Sequence, residues 1–336
     1  MHDEKIIRKR NTESNMRAVD DPVRRTRGRP VEDNVLEAAW LYYVEEWNQS
    51  EIAERLAVSR ATVVNYLQQA REQGHVELRV DPVVFNRQRL SSALRERFGL
   101  ASALVVPGST FSMTSVARAA ARYFPDLLEP GDVLGISWGE TIYQMAEQML
   151  PRAIPDLTVV QMVGSMPSPY IFTSESCSTN VALKLAGRVV NLYAPAALSS
   201  PEAAAILRGE PLIRRHFALL DTMRKAIFAV GSMGADSHVV RSGIATPEEV
   251  ARYGEMGAVG VLCGRFIDRQ GRHVEGPIDA RMIGITPDRL AGLAAGILVA
   301  SGLDRIQAMR GAMLAGYADH LVTDEPTAQA LIDLGD

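Results

Sequence analysis

Beyond Asp81-Pro82 the chain passes repeatedly from a short apolar run to a helix-period segment, and this alternation restricts the fold more than any other feature of the sequence. Ser102 to Val106, Asp132 to Ile136, Leu157 to Met162, Arg188 to Leu192, Lys225 to Val230 and Gly260 to Cys263 read as short buried strands. Helical segments separate most of them. Strands joined through helices pair in parallel, so the expected architecture is a doubly wound α/β sheet. Ligands in such sheets sit outside the C-terminal ends of the strands, and the loops there are the first place to look for function.

A chain of 336 residues with 47% hydrophobic content can bury the cores of two domains. No uninterrupted apolar run reaches the ~18 residues of a membrane span, and the N-terminus is charged rather than apolar, so a cytoplasmic protein is expected. Cys177 and Cys263 lack CxxC spacing, and the six histidines include no pair at metal-ligand spacing. No disulfide, metal or cofactor is expected, and both cysteines read as buried thiols.

Ahead of the alternating region, residues 31–81 have the pattern of a helix-turn-helix with a winged ending. Val35, Leu36, Ala39, Trp40 and Tyr43 make one apolar face of a first helix. Asn48 and Glu51 fit an N-cap and its N3 partner, opening a short helix with Ile52, Ala53 and Leu56. Ala57 and Val58 fall in the turn, and Ser59 caps a second helix from about Arg60 to Gln73, with Val63, Val64 and Leu67 facing inward and Gly74 as the stop. The segment His75 to Val80 alternates as a strand would. A second helix of this kind can lie in the major groove, with Ser59, Arg60, Ala61, Thr62, Asn65 and Tyr66 at its exposed start. Arginine suits guanine, asparagine suits adenine, and a small methyl suits the thymine methyl. A helical hairpin that contacts only protein is the alternative.

The charge of this reader is unusual. Residues 31–80 hold four arginines against nine acidic residues. Because phosphate neutralisation supplies much of DNA affinity, cations are expected from a second subunit or from the preceding tail. Residues 1–30 are basic, polar and poor in aromatics, the composition of a segment that is disordered in isolation. Arg27 and Arg29, in the stretch RGRP, fit an arginine arm in a narrow minor groove, with a plain solvated basic tail as the alternative. A polar helical stretch at residues 82–98 links the reader to the larger domain, residues 99–336.

Within that larger domain the segment GDVLGISWGET, Gly131 to Thr141, ends a strand and opens an amphipathic helix. Small residues there admit an oxyanion or hydroxyl close to the backbone, and Ser137 and Thr141 add donors. A tight strand-to-helix turn needs glycine for its own reasons, so the loop alone leaves both readings open.

The chain from about Leu36 to Leu334 resembles the SorC family of sugar-sensing transcription regulators. The carriers are QSEIAERLAVSRATVVNYLQQAREQGHV, GDVLGISWGET, NLYAPA, FAVGSMGADS, GAVGVLCGRFIDRQG and LVTDEPTAQAL, all in one order. The resemblance implies a sensor domain related in fold to sugar-phosphate isomerases and deaminases. It also implies assembly as a homo-oligomer, dimer or tetramer, and a grip on operator DNA that changes when a small sugar, polyol or sugar phosphate binds. By matching position it assigns ligand contacts to Ser137, Trp138, Gly139 and Thr141, to Ser178 and Asn180, to Arg241, and to Arg305; Asp236 is a further candidate contact from its place in a strand-end loop alone. An exposed helix arginine remains the other reading of Arg305. Val261 stands where many relatives have an acidic residue, and Gln161 or Ser165 would have to replace an arginine found in phosphosugar sensors. Both departures favour a neutral sugar or polyol over a bisphosphate. His238 and Asp236 sit in a strand-end loop, for which a surface pair is the plainer account.

The rival function is a phosphosugar isomerase or deaminase-like enzyme. Such work needs a positioned acid and base, and Glu140 is the sole obvious candidate, without a partner. A structural interaction protein would leave the polar strand-end loops unexplained.

Overall fold

The computed structural model describes residues 31–77, 82–108, 112–166 and 171–335. The chain divides between Val80 and Asp81 into two compact units. The basic tail with Arg27 and Arg29 lies outside the described residues, as does the second half of the expected wing strand. Its first residues, His75 to Glu77, form a bend after the α3 stop and no strand.

The smaller unit contains helices α1 (Val31–Tyr43), α2 (Gln49–Leu56) and α3 (Arg60–Glu72). Asn48 and Glu51 form the expected reciprocal capping box: the Asn48 side chain accepts from the Glu51 N–H, and Glu51 accepts from the Asn48 N–H at 2.8 Å. The turn is closed by Ala57, a non-glycine residue in the left-handed region at φ 52°. Ser59 caps α3 by accepting from the Thr62 N–H at 3.1 Å. Ala38, Ile52, Ala53, Val63 and Leu67 form the core where the three helices meet. The apolar face of α1 is rotated from expectation. Val35, Ala38 and Ala39 are buried, whereas Leu36 and Trp40 are about half exposed, because α3 packs on the small residues where it can approach closely. Val64 likewise points outward from α3, on the side opposite the buried Val63 and Leu67.

The larger unit opens with α4 (Pro82–Phe98), whose Leu90 and Leu94 are fully buried in its main core. The strands are β1 (Ser102–Val106), β2 (Val133–Ile136), β3 (Thr158–Gln161), β4 (Arg188–Val190), β5 (Lys225–Phe228), β6 (Val230–Gly231), β7 (Gly260–Leu262), β8 (Arg265–Ile267), β9 (Ala295–Val299) and β10 (His320–Asp324). Seven of them form one parallel sheet in the order β1-β10-β9-β5-β2-β3-β4, and β6-β7-β8 form a small antiparallel sheet. From β2 the chain runs outward to β3 and β4, then crosses back to β5 and proceeds the other way to β9. The order therefore reverses between β2 and β5, and the crevice at such a point is where doubly wound sheets bind ligands.

Side chains alternate between two cores along the central strands. Leu134, Ile136, Val159, Ile227, Ile297 and Val299 face α5 (Ser112–Tyr123), α6 (Glu140–Gln148) and α7 (Ser174–Leu185). Val160, Ala226, Phe228 and Leu298 face the other way, toward a larger cluster that includes α11 (Pro247–Glu255), α12 (Ile306–Leu314) and α13 (Glu325–Asp333). Met309 and Met313 lie in this second cluster, as packing residues. Helices α8 (Pro201–Gly209) and α9 (Pro211–Leu220) pack as a pair after β4. The strand Lys225–Val230 of the sequence reading is broken at Ala229 into β5 and β6, since the chain leaves the parallel sheet there to start the antiparallel one.

Candidate functional site

Three loops, following β2, β5 and β9, converge on a cavity of about 250 Å³ at the C-terminal end of the sheet. The β2 loop contributes Ser137, Trp138, Gly139, Glu140 and Thr141. Its Ser137 N–H donates to the Ile227 carbonyl at 3.0 Å, which pins the loop to the neighbouring strand β5. Gly139 is the N-cap of α6 with φ 129°, a conformation that L side chains rarely adopt, and no side chain caps the helix there. The first N–H groups of α6 are thus left for water or a ligand, at the positive end of the helix dipole.

The β5 loop, which runs on from β5 through the short strand β6, brings Asp236, Ser237, His238 and Arg241, the last of these and His238 in the short helix α10 (His238–Arg241). Ser237 is buried, and its hydroxyl makes no hydrogen bond. An unmatched buried hydroxyl costs about 1–3 kcal/mol, so one lining a cavity points to a polar occupant. His238 lies with its ring centroid 5.1 Å from that of Phe172 and 6.3 Å from that of Trp138. Burial pushes its pKa down, Arg305 and Arg241 push the same way, and Glu140 and Asp236 oppose them. The imidazole is neutral near pH 7. After β9, Asp304 and Arg305 complete the wall, with Arg305 half-buried and its Nε 3.5 Å from Asp304 Oδ2.

Cys263 closes the floor beside Val261 and Gly264, its thiol 3.8 Å from the Ser137 hydroxyl. Burial pushes the Cys263 thiol up to about 12, and the Cys177 thiol, also buried, to about 12 as well. Neither is a nucleophile at neutral pH.

Of the residues singled out in the sequence, Ser137, Trp138, Gly139, Thr141, Asp236, Arg241 and Arg305 line one cavity. Gln161, Ser178 and Asn180 do not. Gln161 is fully buried and ties two strand ends together, donating to the Val163 carbonyl at 2.7 Å and accepting from the Leu192 N–H at 2.9 Å. The Ser178 hydroxyl has the Ser174 carbonyl at 3.0 Å and Asn191 Oδ1 at 2.8 Å as acceptors for its one proton, inside the packing of α7. Asn180 reaches Glu147 at 2.9 Å on the outer side of α7. These are polar contacts of packing, indistinguishable in the sequence from contacts to a ligand. Ser237, His238 and Cys263 were missed or discounted. The signal available was their position in the segments that follow strands β6 and β7.

In the smaller unit Arg60, Ala61 and Asn65 are exposed along the start of α3. Arg60 Nε donates to Gln49 Oε1 at 3.2 Å, which aligns the guanidinium across the two helices. Thr62 is half-buried with its hydroxyl 2.8 Å from that of Ser59, and Tyr66 packs its ring against the core, so both are partly withdrawn from the reading face.

Residues 83–333 match the family described as "Putative sugar-binding domain", and residues 38–73 match "Sigma-70, region 4", a helix-turn-helix. An Escherichia coli protein, "Uncharacterized transcriptional regulator YjhU", is 40% identical over 310 residues, covering 90% of this chain and 94% of that one. The chain is a SorC-type sugar-binding transcriptional regulator. The Bacillus subtilis deoxyribonucleoside regulator is 32% identical to this SorC-type chain, with 89% of this chain and 96% of that one covered. Full-length sorbitol operon regulator SorC from Klebsiella pneumoniae superposes with a TM-score of 0.71 over 90% of this chain and 99% of that one, at 23% identity. The SorC-type regulator is thus a DNA-binding protein with an effector domain and not an isomerase or deaminase. No helix among the described residues is long and apolar enough to cross a membrane.

Proposed function

We propose that this regulator holds a small sugar, polyol or sugar monophosphate in the cavity between the β2, β5 and β9 loops, and that occupancy changes its grip on an operator in a carbohydrate or polyol operon. The observation that carries the reading is the buried, unbonded hydroxyl of Ser237 and the uncapped N-terminus of α6 in the lining of one cavity. Ser137, Thr141 and Asp236 add hydroxyl partners, and Trp138 with His238 offers ring faces to the C–H side of a sugar. Arg241 and Arg305 are offset in the same lining by Glu140, Asp236 and Asp304. That balance suits a neutral ligand or one with a single anionic group, and it disfavours a bisphosphate.

On the DNA side Arg60, Ala61 and Asn65 read base edges in the major groove, Ser59 and Thr62 fix the helix start, and Arg27 and Arg29 of the tail supply phosphate or minor-groove contacts. The protein acts as a cytoplasmic homo-oligomer, dimer or tetramer. Two recognition helices must meet half-sites about 34 Å apart or a multiple of that, so a ligand that favours one subunit arrangement shifts operator affinity.

The test is a thermal-shift screen of the full chain against sugars, polyols and their monophosphates. A ligand at about a hundred times its Kd stabilises the native state by about 2.7 kcal/mol. The hit is then titrated into an operator-binding assay, with Arg305→Gln as control. A ligand that is turned over, or that leaves operator affinity and footprint spacing unchanged, removes the reading.

A further inference from the structure

A second concavity of about 770 Å³ lies between helices α8 and α9 and the segment from β8 to Thr286, and it shares no lining residue with the cavity described above. Three guanidinium groups line it, from Arg208, Arg214 and Arg265. Arg265 is only 5% exposed. Its Nη1 donates to Asp279 Oδ1 at 2.7 Å and to the Asp279 carbonyl at 3.0 Å, and its Nε makes no hydrogen bond. Arg208 is half-buried beside it, donating to the carbonyls of Met282 at 2.5 Å and Ala280 at 3.2 Å. Burial and then the charge of Arg265 both press against the charged form of Arg208. Like charges are being held together here.

Three carboxylates share the lining, and one of them, Asp279, pairs with Arg265, so the guanidinium charges of this lining left without a carboxylate partner among the described residues are those of Arg208 and Arg214. Asp279 is already claimed: His273 Nε2, the Tyr253 hydroxyl and the Gly276 N–H all donate to it at 2.7 Å. Burial alone would raise its pKa, but those donors and Arg265 outweigh burial and hold the carboxyl well below its usual range. Asp221 is paired with Arg289, and Glu275 extends into solvent with 83% of its side chain exposed. Arg214 stands exposed on α9 across the opening, and the Phe217 ring gives the same wall an apolar strip.

We propose that this concavity is a second ligand site, in which Arg208, Arg214 and Arg265 hold the oxyanion group of a small molecule, a phosphate or a carboxylate. Planar guanidinium forks on three elements, α8, α9 and β8, match the oxygens of such a group, and a bound anion relieves the repulsion between Arg208 and Arg265. The site is independent of the effector reading, since its lining lies entirely outside the first cavity.

Calorimetric titration of the full chain with inorganic phosphate, and separately with citrate, tests it. The two probes distinguish phosphate from carboxylate as the preferred source of the oxyanion. Arg208→Gln/Arg214→Gln should weaken one binding event about tenfold, and Arg241→Gln/Arg305→Gln should leave that event intact. Arg214→Gln alone, at an exposed position, keeps the test valid if the double variant misfolds, and should weaken the same event severalfold. Anion uptake unchanged in Arg214→Gln and in the double variant overturns the proposal, as does uptake lost wholly in Arg241→Gln/Arg305→Gln. Sedimentation supplies a further check: if Arg214→Gln alters subunit association without altering anion uptake, the concavity is a subunit contact and the proposal fails. Failure of the effector reading would appear elsewhere, as no sugar bound at the first cavity.

Discussion

The indole of Trp138 and the imidazole of His238, a hundred positions apart in the chain, face each other at a centroid distance of 6.3 Å and an interplanar angle of 35° in the lining of the candidate effector cavity. The other tryptophans, Trp40 and Trp47, belong to the smaller unit. Any sugar that raises thermal stability should therefore change intrinsic fluorescence through Trp138. Trp138→Phe should abolish that change and Trp40→Phe should leave it, as a fluorescence titration will show. A signal that survives Trp138→Phe would place the ligand elsewhere.

Base reading by α3 predicts a specific pattern of loss. Arg60→Ala and Asn65→Ala should each cost about 1–3 kcal/mol of operator affinity and relax preference at one base pair, since the contacts are to base edges. Competition between operator variants in an anisotropy assay measures both. A uniform loss across all sequences would make them phosphate contacts.

Removing the cap at Ser59 should loosen the same helix without touching its reading residues. Ser59→Ala leaves the Thr62 N–H unmatched and should cost about 1 kcal/mol. Faster amide exchange in the first turn of α3 is the direct measure.

At the opposite end of the sheet from the cavity, Lys225 and Asp132 form a buried ion pair, Nζ to Oδ2 at 2.8 Å with 7% of each side chain exposed. The lysine also donates to the Leu127 carbonyl at 2.7 Å. Asp132→Ala leaves a buried ammonium whose one charged partner among the described residues is Glu129, with a largely exposed side chain, and should destabilise the larger unit by about 3–5 kcal/mol. Urea unfolding should show the loss, and Lys225→Met/Asp132→Leu should recover part of it.

Stability should fall as the solution is acidified below about pH 6.5. His216 is buried, its Nε2 donates to the Gln161 carbonyl at 2.7 Å, and its Nδ1 has no partner. Burial lowers its pKa, against a smaller opposing effect of that carbonyl. Between the lowered folded value and the unfolded value near 6.5, the unfolded chain takes up a proton that the folded chain refuses. The stabilising contribution is complete above that window and is lost as pH drops through it. His238 and His320, lowered chiefly by burial, act with the same sign. Urea midpoints from about pH 7.5 down to about pH 5.5 should decline, and His216→Gln should flatten the slope.

What the sequence determined by itself was whatever rests on neighbours within a few positions. The caps at Asn48 and Ser59, the turn at Ala57 and the glycine at position 139 are local hydrogen-bonding and steric requirements, and they stand where the residues demanded them. Strand β1 was legible to the residue, but β9 and β10 passed unread. Small residues weaken the apolar signal in AGILV, where a Cβ on Gly296 would lie 1.9 Å from the Tyr317 carbonyl oxygen, and HLVTD spends two of its five positions on polar ends. The cavity was decided by tertiary structure. Ser137, Ser237 and Arg305 meet because the sheet sets β9, β5 and β2 side by side, whereas Gln161, Ser178 and Asn180 turn into packing contacts. Strand order follows from how two apolar faces are covered by distant helices, and no local pattern of residues encodes which polar side chain will be left facing an empty space.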